Sequence, residues 1–277
     1  MTQVIQLAAR ELLLEPLAAL RVGDNRTESS AIHSVDFVGG LMPWPNFSRD
    51  VITTFSSAST HWSTHTLDVR IAGMGSRDSI SVEQLVLGDE TGLQGRLNER
   101  LGRPVTSSLQ AQGVRLRMAD FKASAPAATY RRVPDMVMLD DSSAIMVLGE
   151  AKCPWPKAHL NMLTEGLLDL DDGQEHKIRR LLGQVARYMR ELNVKHAFLS
   201  TYDETVFLRK VDIQGVWTLQ YSPVIKYDDS YNPQAQTITT RQGLFHIALL
   251  AQSDPLFTTS GGGGTSRRNQ RWTVSRD

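Results

Sequence analysis

The stretch VPDMVMLDDSSAIMVLGEAKCPW, residues 133–155, decides the reading of this chain. Two apolar runs, 136–139 and 144–148, flank the polar turn Asp140-Asp141-Ser142-Ser143, a pattern that predicts a β-hairpin. Asp135 stands at the start of the first strand, and Glu150 and Lys152 stand at the end of the second. Residues two apart in a strand point to the same face. Glu150 and Lys152 therefore project together, and Ala151 projects away. An Asp, a Glu and a Lys are expected to converge at one end of an otherwise apolar hairpin.

Such a trio suits metal-assisted phosphodiester hydrolysis. Two carboxylates, with the carbonyl of Ala151, offer oxygen ligands to Mg²⁺, a hard ion that keeps several of its waters. The metal would polarise a phosphoryl oxygen and lower the pKa of a bound water. Lys152 would orient that water or stabilise charge developing on the phosphate. The competing reading makes all three strand-end charges kept in water.

Composition frames these readings. The chain has 277 residues, 41% hydrophobic and 22% charged, which suits one large domain or a domain with a subdomain. Lys+Arg and Asp+Glu both number 30, so any nucleic-acid-binding charge must be local rather than a global basic excess. A single cysteine, Cys153, excludes an internal disulfide and fits a reducing compartment. It is expected to point away from Lys152 as a buried structural thiol. No run of eighteen apolar residues predicts a membrane span. The N-terminal segment MTQVIQLAARELLLEPLAAL lacks the features of a secretory signal. An intracellular protein, nuclear or cytoplasmic, is expected.

Outward from the hairpin, residues 4–20 have helical spacing in Leu7, Leu14 and Ala18. Residues 21–81 are Ser/Thr-rich, with the rigid Pro43-Trp44-Pro45, and predict short strands or loops. His61 and His65 have the spacing of a helical metal pair but lie where helix propensity is poor, with no third ligand in view. Residues 81–101 predict a helix buried along Leu93, Leu97 and Leu101. Glu90 falls within about 20° of that stripe, so its carboxylate is expected to point inward, toward a metal or an Arg. Val114 to Met118 predicts a strand. Arg131 and Arg132, before the hairpin, are either phosphate contacts or solvated charges. Beyond Pro154-Trp155-Pro156, a mixed stretch ends in an acidic cluster, Asp169, Asp171 and Asp172, expected to cap a helix.

Residues 173–192 predict the clearest helix, with a buried stripe of Ile178, Leu181, Leu182, Val185, Met189 and Leu192. Lys177, Arg180, Gln184 and Tyr188 mark another face, suited to a nucleic-acid backbone or simply to solvent. Two strands, 196–201 and 205–211, follow across the turn Tyr202-Asp203-Glu204. A further strand at 217–221 and a last helix over 240–252 complete the pattern. From Ser253 onward the glycine run and Arg267, Arg268 and Arg271 read as a flexible basic tail.

Three features together resemble the PD-(D/E)XK nuclease superfamily. These are Pro134-Asp135 … Glu150-Ala151-Lys152, with fourteen residues between the carboxylates, a Gln184-x-x-x-Tyr188 helix after it, and the element order from residue 81. The Gln-x-x-x-Tyr helix is similar to that of the RecB-like and lambda-exonuclease-like branch. The run into FLSTYDETVFLRK resembles nuclease-like domains abundant in fungal proteins. The resemblance covers roughly residues 81–211. It implies an α/β fold with a restriction-endonuclease-like αβββαβ core, a mixed central sheet flanked by helices. Residues 1–80 would be an elaboration packed on that core, 81–252 the nuclease-like domain and 253–277 the tail. It implies an enzyme, a Mg²⁺- or Mn²⁺-dependent nuclease with DNA favoured over RNA as partner. Asp135, Glu150 and Glu90 would be metal ligands, Lys152 the catalytic lysine, and Gln184 and Tyr188 the supporting pair. Lys177, Arg180, Arg131 and Arg132 would contact nucleic acid. The alternative is a noncatalytic domain on the same scaffold that binds nucleic acid or protein. A homodimer or a protein partner is open under either reading.

Overall fold

The computed structural model describes residues 2–28, 35–57, 61–72, 86–156, 161–171, 175–258 and 271–275. The N-terminal third departs most from expectation. A strand, β1 (Thr2–Ala8), occupies the first half of the predicted helix, and only α1 (Ala9–Leu14) is helical. Val4 and Ile5 are β-branched and favour extended chain, and a distant partner supplies the ladder. After β2 (Arg21–Val22), β3 (Val35–Phe37), β4 (Gly40–Pro43) and α2 (Phe47–Ser56) comes β5 (Thr66–Ala72), which pairs antiparallel with β1 along its whole length. Helix α2 buries Phe47, Val51 and Phe55, four residues apart.

The predicted helix over 81–101 starts later, and residues 81–85 lie outside the described residues. After β6 (Val86–Leu87), α3 (Glu90–Leu97) runs through a π-helical turn at Asn98–Gly102 into α4 (Arg103–Ala111). Leu93, Leu97 and Leu101 are fully buried, as their spacing predicts. Pro104 explains the irregular turn. It has no N–H to donate to the carbonyl of Arg100. Arg241 Nε donates to that carbonyl instead, at 2.9 Å.

The remaining elements are β7 (Arg117–Ala119), β8 (Met136–Leu139), β9 (Ile145–Ala151), α5 (Met162–Asp171), α6 (His176–Glu191), β10 (His196–Ser200), β11 (Glu204–Ile213), β12 (Val216–Tyr221), β13 (Ile225–Lys226), α7 (Thr240–Ser253) and β14 (Thr273–Ser275). Helix α5 stands where only a mixed stretch is expected, so Asp169 and Asp171 end a helix rather than begin one; Asp172 lies outside the described residues.

The molecule is mixed α/β. An eight-stranded sheet has the order β4-β12-β11-β10-β9-β8-β7, with β13 added on β11. Strands β7, β8 and β9 form an antiparallel meander. The chain then crosses through α5 and α6 to β10, which lies parallel to β9. Strand alternation sorts the core onto two faces. Met136, Met138 and Val147 meet α3, α4 and α7 through Leu93, Val105 and Leu244. Val137, Leu139 and Leu148 meet α6 through Leu182, Val185 and Met189.

Both flanking segments join this core. Strand β4, from the first eighty residues, pairs parallel with β12 at one sheet edge. The flexible-tail expectation needs correction at 271–275. Strand β14 pairs antiparallel with β3, and Trp272 is completely buried against Phe37 and Phe257. Residues 259–270, with Arg267 and Arg268, lie outside the described residues. Among the described residues, no helix is long and apolar enough to cross a membrane.

Candidate active site

The β8–β9 turn fixes the hairpin. The Asp140 carboxylate accepts from the N–H groups of Ser142 and Ala144, both at 2.9 Å, and from the Ser142 hydroxyl at 2.7 Å. Ser143 takes the left-handed conformation, with φ 63°. At the far end, Asp135 follows the buried Pro134, and its Oδ2 accepts from the Ala151 N–H at 2.8 Å. This bond sets Asp135 beside the end of β9. The N–H of Lys152 donates to the carbonyl of Ser200 at 2.9 Å and carries the parallel ladder one residue past the strand.

Glu150 and Lys152 share a face, as the period-two alternation predicts. Both are buried, and Lys152 Nζ donates to Glu150 Oε1 at 2.6 Å. The other carboxylate oxygen, Glu150 Oε2, is buried with no hydrogen-bond partner among the described residues. Cys153 lies on the opposite, α3-facing side, and burial pushes its thiol up to about 12, as suits a structural cysteine.

Glu90 also reaches the site, by a route different from the expected one. It is the first residue of α3, just after the N-cap Asp89, whose carboxylate accepts from the Gly92 N–H at 2.7 Å. Its side chain is 38% exposed rather than inward, and its Oε1 lies 3.9 Å from Lys152 Nζ. The partner of Glu90 is therefore Lys152, not an Arg.

Three carboxylates thus surround one ammonium. Burial lifts Asp135 to about 6, against the pull of the Ala151 N–H and Lys152. Burial, reinforced by Asp135, also raises Glu150 well above the ordinary carboxylate range. Burial opposes the charge on Lys152, but Glu150 and its hydrogen bond outweigh that effect and raise its pKa.

From α6, Tyr188 is buried near this group. Burial first, then the Glu150 charge, raises its phenol. Gln184 Nε2 donates to the Tyr188 hydroxyl at 2.9 Å, and Gln184 Oε1 is buried without a partner among the described residues. The four basic candidates divide. Lys177 pairs with Asp169 at 3.1 Å, and Arg132 with Glu191 at 3.2 Å. Arg131 is exposed, and Arg180 has a buried Nε without a partner; neither makes an ion pair among the described residues. Glu191 also accepts from the Tyr130 hydroxyl at 2.5 Å. No sequence pattern announces that pair, which joins residues 61 apart.

His61 and His65 are both exposed in chain without helical structure, so the helical pairing does not form. Among the described residues, no three His, Cys, Asp or Glu side chains stand together as a ligand set. At the hairpin end, the Lys152 ammonium lies against Glu150. The donor set nevertheless suits a hard divalent cation: carboxyl oxygens dominate, three carboxyls face one ammonium, and Glu150 Oε2 lacks a partner among the described residues.

Compared with protein-family models, curated proteins and solved structures, the chain matches none of them.

Proposed function

We propose that this protein is a metal-dependent nuclease of the restriction-endonuclease-like fold, hydrolysing phosphodiester bonds, with DNA favoured over RNA. The observation that carries this reading is the excess of carboxylate around Lys152. Burial pushes the Asp135 and Glu150 carboxyls toward their protonated forms, and a divalent cation would take the place of those protons and compensate the charge. The order of α3–α4, β7-β8-β9, α6 and β10 supports the fold assignment, because it follows the αβββαβ pattern.

Asp135 and Glu150 would hold Mg²⁺ or Mn²⁺, with Glu90 at the margin. When bound, the metal would supply an activated water and a polarised phosphoryl oxygen. Lys152 has a protein role of its own. Its ammonium sits between two carboxylates at the strand end, where it would meet negative charge developing on a phosphate. Tyr188, with Gln184 donating to its hydroxyl, would flank these carboxylates on the α6 side. Arg180, one turn before Gln184 on α6, and Arg131 make no ion pair among the described residues and would meet a flanking phosphate.

A specific observation favours a second reading, a noncatalytic binding domain. The 2.6 Å ion pair of Lys152 with Glu150 engages one oxygen of a carboxylate that a metal would need. Cleavage of single- and double-stranded DNA and RNA in Mg²⁺, Mn²⁺ or EDTA separates the two readings. A nuclease cuts with metal and loses at least about a hundredfold in rate in Lys152→Ala. Folded protein that cuts none of these substrates supports the binding domain.

A further inference from the structure

We propose that Glu191 is a positioning residue for this site: it clamps the segment carrying Asp135 to the helix carrying Tyr188, and so sets Asp135 for a divalent cation. The inference rests on the nuclease reading, since it concerns the same site.

Asp135 arrives on a weakly held stretch. Residues 131–134 have no helix or strand. Outside the strand ladders, none of residues 131–135 makes a backbone–backbone hydrogen bond among the described residues. Among the described residues, three side-chain hydrogen bonds hold the stretch from Tyr130 to Asp135. One is the acceptance by Asp135 Oδ2 from the Ala151 N–H. The other two converge on one atom, Glu191 Oε2, which accepts from the Tyr130 hydroxyl at 2.5 Å and from Arg132 Nη1 at 3.2 Å. Glu191 is the last residue of α6, one turn beyond Tyr188. The Tyr130 ring meets Tyr188 edge-on at 6.3 Å and Phe121 edge-on at 5.9 Å. The carboxylate of Glu191 therefore closes a short circuit: Asp135 segment, α6, Tyr188, Glu150 region.

The same contacts explain why the clamp serves the site rather than the fold. Arg132 is 50% exposed and Glu191 36% exposed. Ion pairs at that exposure add little stability. Yet the geometry of a metal ligand is sensitive to its supports, and losing an outer-shell partner typically weakens metal binding about 10- to 100-fold. Loss of Glu191 should free the 130–134 stretch while the buried hairpin stays folded.

Mn²⁺ binding, followed by the loss of free-ion signal in electron paramagnetic resonance, tests this without turnover. Asp135→Asn should abolish binding. Glu191→Ala should weaken it about tenfold, with little change in the metal-free Tm. Glu191→Gln keeps an acceptor oxygen for Tyr130 and should recover most of the affinity. The double variant Tyr130→Phe/Arg132→Gln should reproduce Glu191→Ala, and it serves as the test if Glu191→Ala does not fold. Wild-type affinity in Glu191→Ala, alongside lost binding in Asp135→Asn, overturns the clamp and leaves the nuclease reading standing. Wild type that binds no Mn²⁺, or binds it no better than Asp135→Asn, overturns the reading and the clamp with it.

Discussion

The carboxylates at the hairpin end make stability depend on pH in a definite direction. The folded chain holds the Asp135 proton up to about pH 6, whereas an ordinary Asp loses it near 3.8. Between those values the folded state binds more protons than the unfolded state, so stability falls as pH rises. The loss from Asp135 alone is on the order of 3 kcal/mol, and Glu150 adds to it in the same direction. In EDTA, Tm should therefore fall through this window. Mg²⁺ should restore Tm more at pH 8 than at pH 5, because a cation competes with protons for the same oxygens. Two histidines tilt the other way. Burial depresses His196 to about 3 and His246 to about 4, below the ordinary 6.5. The unfolded state binds those protons first, so their contribution is lost as pH falls below 6.5. A Glu150→Gln/Asp135→Asn variant removes the trend of the hairpin end and leaves Asp203, which burial raises to about 6, against the two histidines. Its Tm should rise steadily from pH 4 to 6.5, and a flat profile in thermal melts would contradict the histidine assignment. At this scale the trio was legible, because period-two alternation alone puts Glu150 beside Lys152. The true posture of Glu90 was not. It depends on where α3 begins, and the Asp89 cap sets that start within a stretch of helical periodicity that extends further upstream.

Elements were legible where their evidence was local. The hairpin announces itself by two apolar runs and a polar turn, and α6 by apolar residues at helical spacing. Strand β1 was not, because Leu7 and Leu14 happen to fit a helical period while the partner that makes a strand, β5, lies some sixty residues away. Helix α2 hid among Ser and Thr, residues that compete for backbone hydrogen bonds and disguise a Phe-Val-Phe stripe. The seat of β3 on α6 was equally silent. Gly183 makes that seat possible, since a Cβ there would clash with the Val35 carbonyl oxygen. Gly183→Ala should push β3 off the helix and cost about 1–3 kcal/mol. Urea denaturation would measure the loss, and a variant as stable as wild type would mean that β3 adjusts without strain.

Across the whole molecule, both flanks of the chain complete the core built by its middle. Trp272 lies beyond a run of glycines that reads as linker, so its role was invisible without its neighbours. It is enclosed by Phe37, Trp217 and Phe257. Trp272→Ala should destabilise by about 3–5 kcal/mol. A shift in the urea midpoint with little change in slope would bear this out, and an unchanged midpoint would show that β14 contributes nothing to stability.

The pairing of β14 with β3 also sets a timetable. Phe37 leaves the ribosome more than two hundred residues before Trp272. At the usual ~5–20 residues per second, Phe37 waits roughly 10–50 seconds for the indole that covers it. Throughout that interval a nascent chain displays an aromatic patch that the finished protein keeps dry. The window in which this protein is most exposed to aggregation, or most in need of a chaperone, is therefore set by translation speed.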